Sequence, residues 1–359
     1  MKKVCLAFNH LQYSDGIARS AIAIANAISD SGKFDVTLRP IYKFEKEVCS
    51  LLNKNIKVKP VFRTYFKGLS HIVDAMPGKL LHNLIYGKNE FDIEIGFQFG
   101  TSTYAVGSSN NGKKHIIWMH GYDEGLIAKD CYIKADKVVC VSKCNADRLR
   151  SELNADVPID YCYIPIDEKK VCKSGEEPVE KTCEKRPLIV SVGRLSPEKG
   201  YIRLVDIAAR LKNDGYDFTI WIIGDGPECE SLLTHIIELG LEDTVMLLGN
   251  QPNPHKYTSK ADVFVCSSFS EGYSTACTEA AMLGVPIITT SVSGGQEIIE
   301  SAGCGSLVGL DDDSLYNGIK QILDSHEIID EWKEKLKVTK VNFSAESRIK
   351  TIMDILNEV

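Results

Sequence analysis

Two carboxylates and two cations carry the chemistry that can be read from this chain. Glu271 and Glu279 lie in the stretch Ser267 to Thr290, SSFSEGYSTACTEAAMLGVPIITT, and Arg194 and Lys199 share the segment Gly193 to Gly200, GRLSPEKG. Ala261 to Cys266 has the length and β-branched content of a buried parallel strand, so Glu271 and Gly272 sit on a loop leaving its carboxyl end. From about Thr275, the residues Ala276, Ala280, Ala281, Met282 and Leu283 predict a helix that stops at Gly284, ahead of Pro286. Free N–H groups of Ser274, Thr275 and Ala276, backed by the helix dipole, suit a phosphate there. A carboxylate beside a phosphate is repelled unless it meets a neutral partner, and sugar hydroxyls are such partners. The arrangement therefore suits a nucleoside-diphosphate sugar, with hexose hydroxyls at Glu271 and ribose hydroxyls at Glu279. From spacing alone, a solvated loop glutamate and an ordinary helical one are the plainer alternative.

The elements that must hold these groups follow from the pattern. Leu188 to Val192 is a near-continuous apolar strand whose end places Arg194 and Lys199 in one loop before a helix starting near Gly200. Two positive charges at a strand end call for an anion, and a diphosphate has the size; the alternative is an exposed loop pairing with Glu198. Phe218 to Ile223 and Val245 to Leu248 are further strands, ending in Gly224-Asp-Gly-Pro and Gly249-Asn250. In the first half, the strand Val4 to Phe8 runs through Asn9 to Gly16 into a helix with Ile17, Ala21, Ile24 and Ile28 on one face. No G-x-G-x-x-G is present there, which argues against a dinucleotide site. Asp35 to Leu38, Asp92 to Gly96, His115 to Met119 and Lys137 to Val141 repeat the βα spacing, while 58–62 is ambiguous. His120 follows a strand, where an imidazole can meet a phosphate or sugar hydroxyl, with a purely structural histidine as the alternative. Ser142 is a candidate helix cap. Glu168 to Arg186 has no sustained apolar period and reads as a linker.

Glu271-Gly-Tyr-Ser-Thr-Ala-Cys-Thr-Glu279, with Gly-Gly-Gln-Glu-Ile-Ile at 294–299, Val192-Gly-Arg-Leu-Ser-Pro-Glu-Lys-Gly200 and Ile223-Gly-Asp-Gly-Pro227, resembles the family-4 retaining glycosyltransferases with their E-x7-E signature. The resemblance spans the second half of the chain. It implies an α/β chain of the GT-B fold, two Rossmann-like domains facing each other across a cleft, with the nucleotide sugar held mainly by the second. On that basis the domains are 1–167 for the acceptor, a linker 168–186, 187–342 for the donor, and 343–359 as a helix crossing back to the first domain. Matching positions imply that Arg194 and Lys199 bind the donor diphosphate and that Glu271 and His120 join them in catalysis. Gly16, Gly193, Asn250, Gly272, Tyr273, Ser274, Thr275 and Glu279 then line the donor. Gly16 matches a family loop glycine, although Asp15 stands where a second glycine is usual. The nucleobase is expected near backbone atoms by Asn250, and retention would follow from front-face attack.

Composition narrows the classes. With 359 residues, 44% hydrophobic and 25% charged, the chain fits two ordinary globular domains. Twelve cysteines are scattered singly, several within apolar strands, and read as reduced thiols in a cytoplasm; no C-x2-C pair suggests zinc. No D-x-D lies on a suitable loop, and Asp311-Asp-Asp313 fits a helix cap, so no metal and no cofactor are expected beyond the nucleotide-sugar substrate. The net charge of -7 conceals an asymmetry: residues 1–120 carry 16 Lys plus Arg against 9 Asp plus Glu, the rest 26 against 40. The basic excess falls mostly in 33–88, where it alternates with Phe44, Leu51, Leu52, Phe62, Tyr65, Phe66, Leu69 and Ile72. Such a face suits anionic lipid headgroups at the inner face of a membrane or an acidic acceptor, or is a solvated basic surface; nucleic acid is not expected as a partner. The expected reaction is sugar transfer from a nucleoside-diphosphate sugar, UDP-linked by first choice, to a glycan or lipid-linked glycan. A nucleotide-sugar epimerase of the same architecture and a non-catalytic nucleotide-sugar-binding protein remain the alternatives.

Overall fold

Val4 to Phe8, an apolar run in the sequence, is the middle of a longer strand, β1 (Lys2–Leu11), around which the first half of the protein is built. The structure is a computed structural model that describes residues 1–12, 15–88, 90–109, 111–181, 183 and 185–359. Tyr13 and Ser14 of the loop before the first helix, and Thr182 and Glu184 of the expected linker, lie outside the described residues. Two units result: Met1–Pro165 with Ala345–Val359, and Ile166–Ser344.

In unit 1, β1 is joined by β2 (Phe34–Phe44), β3 (Lys57–Val58), β4 (Ile93–Gly96), β5 (Lys114–Met119), β6 (Lys137–Cys140) and β7 (Ile159–Tyr161). All pairings are parallel, in the order β3-β2-β1-β4-β5-β6-β7. The connections carry α1 (Gly16–Asp30), α2 (Leu69–Asp74), α3 (Gly78–Tyr86), α4 (Thr101–Gly107), α5 (Lys129–Lys134) and α6 (Lys143–Leu153). Helices on both faces bury a parallel strand completely, and every residue of β4 is buried, Glu94 included. Asp15 Oδ1 accepts from Ile17 N–H at 2.8 Å and starts α1; Ser142 Oγ accepts from Asn145 N–H at 3.3 Å and starts α6. The segment 58–62 contributes only the end of the two-residue β3.

Unit 2 begins with α7 (Glu168–Gly175), followed by β8 (Leu188–Val192), α8 (Tyr201–Asn213), β9 (Thr219–Ile223), α9 (Cys229–Glu238) and β10 (Val245–Leu247). Then come α10 (His255–Thr258), β11 (Val263–Cys266), α11 (Thr275–Met282), β12 (Ile287–Thr290), α12 (Gly295–Ala302), β13 (Ser306–Val308), α13 (Asp312–Asp324) and α14 (Glu327–Thr339). The sheet runs β10-β9-β8-β11-β12-β13, again parallel. Asp311 Oδ1 accepts from Ser314 N–H at 2.8 Å, so the triple aspartate is the cap of α13.

The expected linker 168–186 requires correction. Its first part is the helix α7, capped by Asp167 Oδ1 accepting from Lys170 N–H at 3.0 Å. It packs into unit 2, with Val171 buried and the Ser174 and Gly175 carbonyls accepting from Asn253 Nδ2 and Ser259 Oγ. A two-turn helix that buries so little apolar surface shows no period in sequence. The last helix, α15 (Ala345–Glu358), lies in unit 1, where Arg348 Nη1 donates to the Ile164 carbonyl at 2.7 Å and Glu358 pairs with Lys137.

Both sheets reverse their winding next to their first strand, between β1 and β4 and between β8 and β11. Ligands of open α/β sheets bind at the carboxyl ends of the strands at such points.

Candidate active site

The loops that carry Arg194, Lys199 and Glu271 leave β8 and β11, the two strands at the winding reversal of unit 2, and Glu279 follows in α11. They are laced together by main-chain contacts. Phe269 N–H donates to the Glu198 carbonyl at 2.8 Å, and Ser267 Oγ donates to the Lys199 carbonyl at 2.9 Å. Gly200 is held at φ +65°, and a Cβ there would run into the Ser267 carbonyl oxygen. On the other side, the turn Gly224 to Pro227 closes on the Arg194 loop. Leu195 N–H donates to the Asp225 carbonyl and Glu228 N–H to that of Leu195, both at 3.0 Å, and a Cβ on Gly224 would overlap the Gly193 carbonyl oxygen. Gly294, at φ +75°, lets the start of α12 lie against Tyr273, whose ring would be 2.7 Å from a Cβ.

Arg203, which the sequence reading missed, is the buried clamp of this assembly. Its Nε donates to the Ser267 carbonyl at 2.9 Å, Nη2 to those of Ser267 and Ser268, and Nη1 to that of Leu310 at 2.6 Å, while the guanidinium lies 3.8 Å from the Phe269 ring centre. An arginine on the apolar face of α8 beside Leu204 and Ile207 was the available signal, because a buried guanidinium must find carbonyls.

Lys199 Nζ donates to Glu271 Oε1 at 2.7 Å, and Ser268 Oγ donates to the same oxygen at 2.8 Å. Burial disfavours the ammonium, yet the Glu271 carboxylate outweighs it and holds Lys199 above the ordinary lysine pKa. Lys199 keeps further N–H donors beyond the one on Glu271, and Glu271 Oε2 accepts no hydrogen bond among the described residues. Arg194 is exposed, and its guanidinium makes no hydrogen bond or ion pair among the described residues. Glu198, the alternative partner for these cations, instead accepts from Ser196 Oγ at 2.6 Å. Ser274 caps α11, its Oγ accepting from Cys277 N–H at 3.3 Å, so the first-turn N–H groups of Thr275 and Ala276 face outward without intrahelical acceptors.

The structure thus brings Gly193, Arg194, Lys199, Glu271, Gly272, Tyr273, Ser274 and Thr275 to one edge. Glu279 lies one turn into α11 and pairs with His255 Nε2 at 3.1 Å, a partner not anticipated from sequence. Asn250 is exposed beyond β10, and Gly249 at φ +67° accepts from Gly224 N–H. The remaining two candidates belong to unit 1. Gly16 is the first residue of α1, where a Cβ would meet no described atom within 4 Å, so among the described residues neither φ nor packing demands glycine there. His120 stands at the carboxyl end of β5 with its ring 4.5 Å from that of Phe97; Nε2 is buried without a partner among the described residues, and burial pushes the imidazole down to about 3. Burial therefore favours its neutral form near pH 7.

Comparison with known proteins bears on the fold. Solved structures similar over the whole chain include sucrose-phosphate synthase from Thermosynechococcus elongatus (TM-score 0.76, 16% identity, 100% of this chain and 99% of that one). Another is Anabaena HepE in complex with UDP and glucose (TM-score 0.75, 17% identity, 100% of both chains). These likenesses show the fold, two Rossmann-like α/β units of the GT-B class. Residues 175–338, within unit 2, match the family described as glycosyl transferases group 1. Among curated relatives, the N-acetylgalactosamine-N,N'-diacetylbacillosaminyl-diphospho-undecaprenol 4-alpha-N-acetylgalactosaminyltransferase of Campylobacter jejuni is 32% identical over 209 residues, 57% of this chain and 56% of its own. The N-acetyl-alpha-D-glucosaminyl L-malate synthase of Bacillus anthracis is 25% identical over 55% of each chain. The chain spans about half the length of the curated relatives it matches.

Proposed function

We propose that the protein is a retaining glycosyltransferase that moves a hexosyl or N-acetylhexosaminyl group from a UDP-linked sugar to a glycan or lipid-linked glycan, as in surface polysaccharide synthesis. The observation that carries the reading is the Lys199–Glu271 pair, with one carboxylate oxygen engaged and the other free among the described residues, beside Arg194 and the open start of α11. Charge builds on the leaving diphosphate as the anomeric bond breaks. Arg194, the spare N–H donors of Lys199 and the N–H groups of Thr275 and Ala276 meet that charge, while Glu271 Oε2 accepts from hexose hydroxyls and Glu279 from ribose. Fixed cations take the place of a bridging divalent ion in the transfer step. The neutral His120 acts as a hydrogen-bonding group, and the acceptor hydroxyl attacks from the face the diphosphate leaves.

The relatives' names support the substrate classes: the Campylobacter enzyme is named for an acceptor on diphospho-undecaprenol, and HepE is a complex with UDP and glucose. Support for a lipid-linked acceptor also comes from unit 1. Arg63, Tyr65, Phe66, Lys67, Ile72, Lys79 and Leu80 are exposed around α2 and α3, mixing apolar and basic groups as a peripheral membrane surface does. Two members of the basic segment do not belong to that face, since Leu69 is in the core and Lys57 pairs with Asp35 at 2.6 Å. Among the described residues no helix is long and apolar enough to cross a membrane.

Arg194→Ala and Lys199→Ala are each expected to lower kcat/KM for donor about a hundredfold, roughly 3 kcal/mol of transition-state stabilisation. The assay is nucleoside-diphosphate release with the product anomer read by NMR, in buffer free of Mg²⁺ and Mn²⁺. Near-parental kinetics in both variants, or a strict requirement for added Mg²⁺, would remove this reading, and an inverted anomer would remove retention.

A further inference from the structure

We propose that His82, Glu94 and His115 form a binding site for a divalent transition-metal ion at the amino ends of β4 and β5 in unit 1, where it fastens α3 to the sheet. Glu94 and His115 are register partners on adjacent strands, so their side chains leave the same face of the sheet. His82 reaches them from α3. Its Nε2 is 2.6 Å from Glu94 Oε2, and His115 Nε2 is 3.2 Å from the same oxygen. One donor atom from each residue lies within 4.8 Å of the others. The three residues are 4%, 0% and 5% exposed.

Buried charges in proteins are paired or coordinate metals. Here the fully buried carboxylate is approached by two imidazole nitrogens, and its charge can be balanced by protonating a ring or by one cation that replaces both ring protons. The supporting groups orient Glu94 and His82, whereas the contact of Asn111 Oδ1 with His115 Nε2 belongs to the protonated case and gives way when that nitrogen ligates. Asn111 Nδ2 donates to Glu94 Oε1 at 3.2 Å, Asn111 Oδ1 lies 3.1 Å from His115 Nε2, and the His82 ring stacks on Tyr86 with centroids 5.3 Å apart. Tyr86 is itself tied down, its hydroxyl donating to the Ile95 carbonyl at 2.9 Å. Zinc binds imidazole nitrogen and carboxylate oxygen at about 2.0–2.2 Å, so tetrahedral ligands stand roughly 3.3 Å apart. The 3.2 Å separation already fits, and the 2.6 Å one requires a small withdrawal of His82. Two neutral imidazoles and one carboxylate suit Zn²⁺ and its neighbours rather than Mg²⁺ or Ca²⁺, which prefer oxygen. His115 and His120 lie at opposite ends of β5, so the ion is structural and separate from the transfer chemistry.

The test uses the full chain. Metal content is measured after purification without chelator; the ion is then removed by dialysis against dipicolinate and Zn²⁺ or Co²⁺ is returned. The expected results are one equivalent per chain, a rise of several degrees in Tm, and Co²⁺ d–d bands of a nitrogen/oxygen site without thiolate charge transfer. His82→Gln and Glu94→Gln should lose both the Tm rise and the spectrum; His82→Gln, on a helix, keeps the test valid if the strand variant fails to fold. An unmoved Tm with no Co²⁺ bands would make the cluster a hydrogen-bonded His–Glu–His arrangement. Unchanged binding in His82→Gln, or thiolate bands from the free cysteines, would place the metal elsewhere.

Discussion

At the carboxyl ends of β8 and β11 the glycines are walled in by other loops, whereas at the matching edge of unit 1 Gly96, the last residue of β4, is crowded by the Ser102 carbonyl but the loop glycines stand open. A Cβ at Gly193, Gly200, Gly224, Gly226 or Gly294 would collide with main chain or a tyrosine side chain, but at Gly16, Gly100 or Gly121 it would meet no described atom within 4 Å. The first arrangement holds groups in place before a ligand arrives, and small displacements of such groups are costly to catalysis. The second leaves room beside the backbone. On the proposed function, the first edge would grip a fixed chemical unit, the diphosphate, and the second would admit a bulkier partner.

The largest effect that would break this contrast is on folding. Gly224→Ala should destabilise the protein by about 3 kcal/mol, because overpacking against the Gly193 carbonyl adds to strain at φ +148°, while Gly16→Ala should stay within about 0.5 kcal/mol. Urea unfolding of both variants checks this, and similar losses would show that the two edges are equally tight. A smaller effect concerns protons. The folded His120 imidazole is pushed down to about 3, below its unfolded value near 6.5, so the unfolded chain binds a proton that the folded one refuses between those limits. Stability is then complete above about pH 6.5 and falls by about 1.4 kcal/mol per pH unit below it. His120→Gln should flatten that part of the slope when urea midpoints are compared at pH 7, 6 and 5; parallel profiles would mean that the folded imidazole protonates freely. The smallest effect belongs to the outer surface of unit 1. Lys67→Gln should weaken cosedimentation with anionic vesicles about fivefold, near 1 kcal/mol, with the difference shrinking as salt is added. Equal binding to neutral vesicles would favour a soluble acceptor.

Much of unit 2 was legible because its chemistry is local. Glu271, the cap at Ser274 and the end of α11 fall within one short stretch, and Arg194 and Lys199 share one loop, so strand-loop-helix patterning placed them correctly at the sheet edge. What escaped depends on contacts between distant segments. Arg203 serves loops that follow β11 and β13, and His255 meets Glu279 from another helix. Glu94 was hidden for a different reason. In Ile93-Glu-Ile-Gly96 the alternation suggests a solvent face, but a parallel strand covered on both sides buries that face too. The helix α7 was missed because its buried side is marked only by Val171 and a glycine, Gly175.

The placement of α15 in unit 1 has a bearing on how the protein is made. Ile352, Ile355 and Leu356 cover apolar surface in a unit whose other segments are all translated before residue 166. During synthesis, the whole of unit 2 emerges from the ribosome and can fold while unit 1 still waits for this helix. The early part of the nascent chain therefore spends the longest time with an uncovered hydrophobic patch, and chaperone capture during translation should centre on α1, the helix against which α15 finally packs.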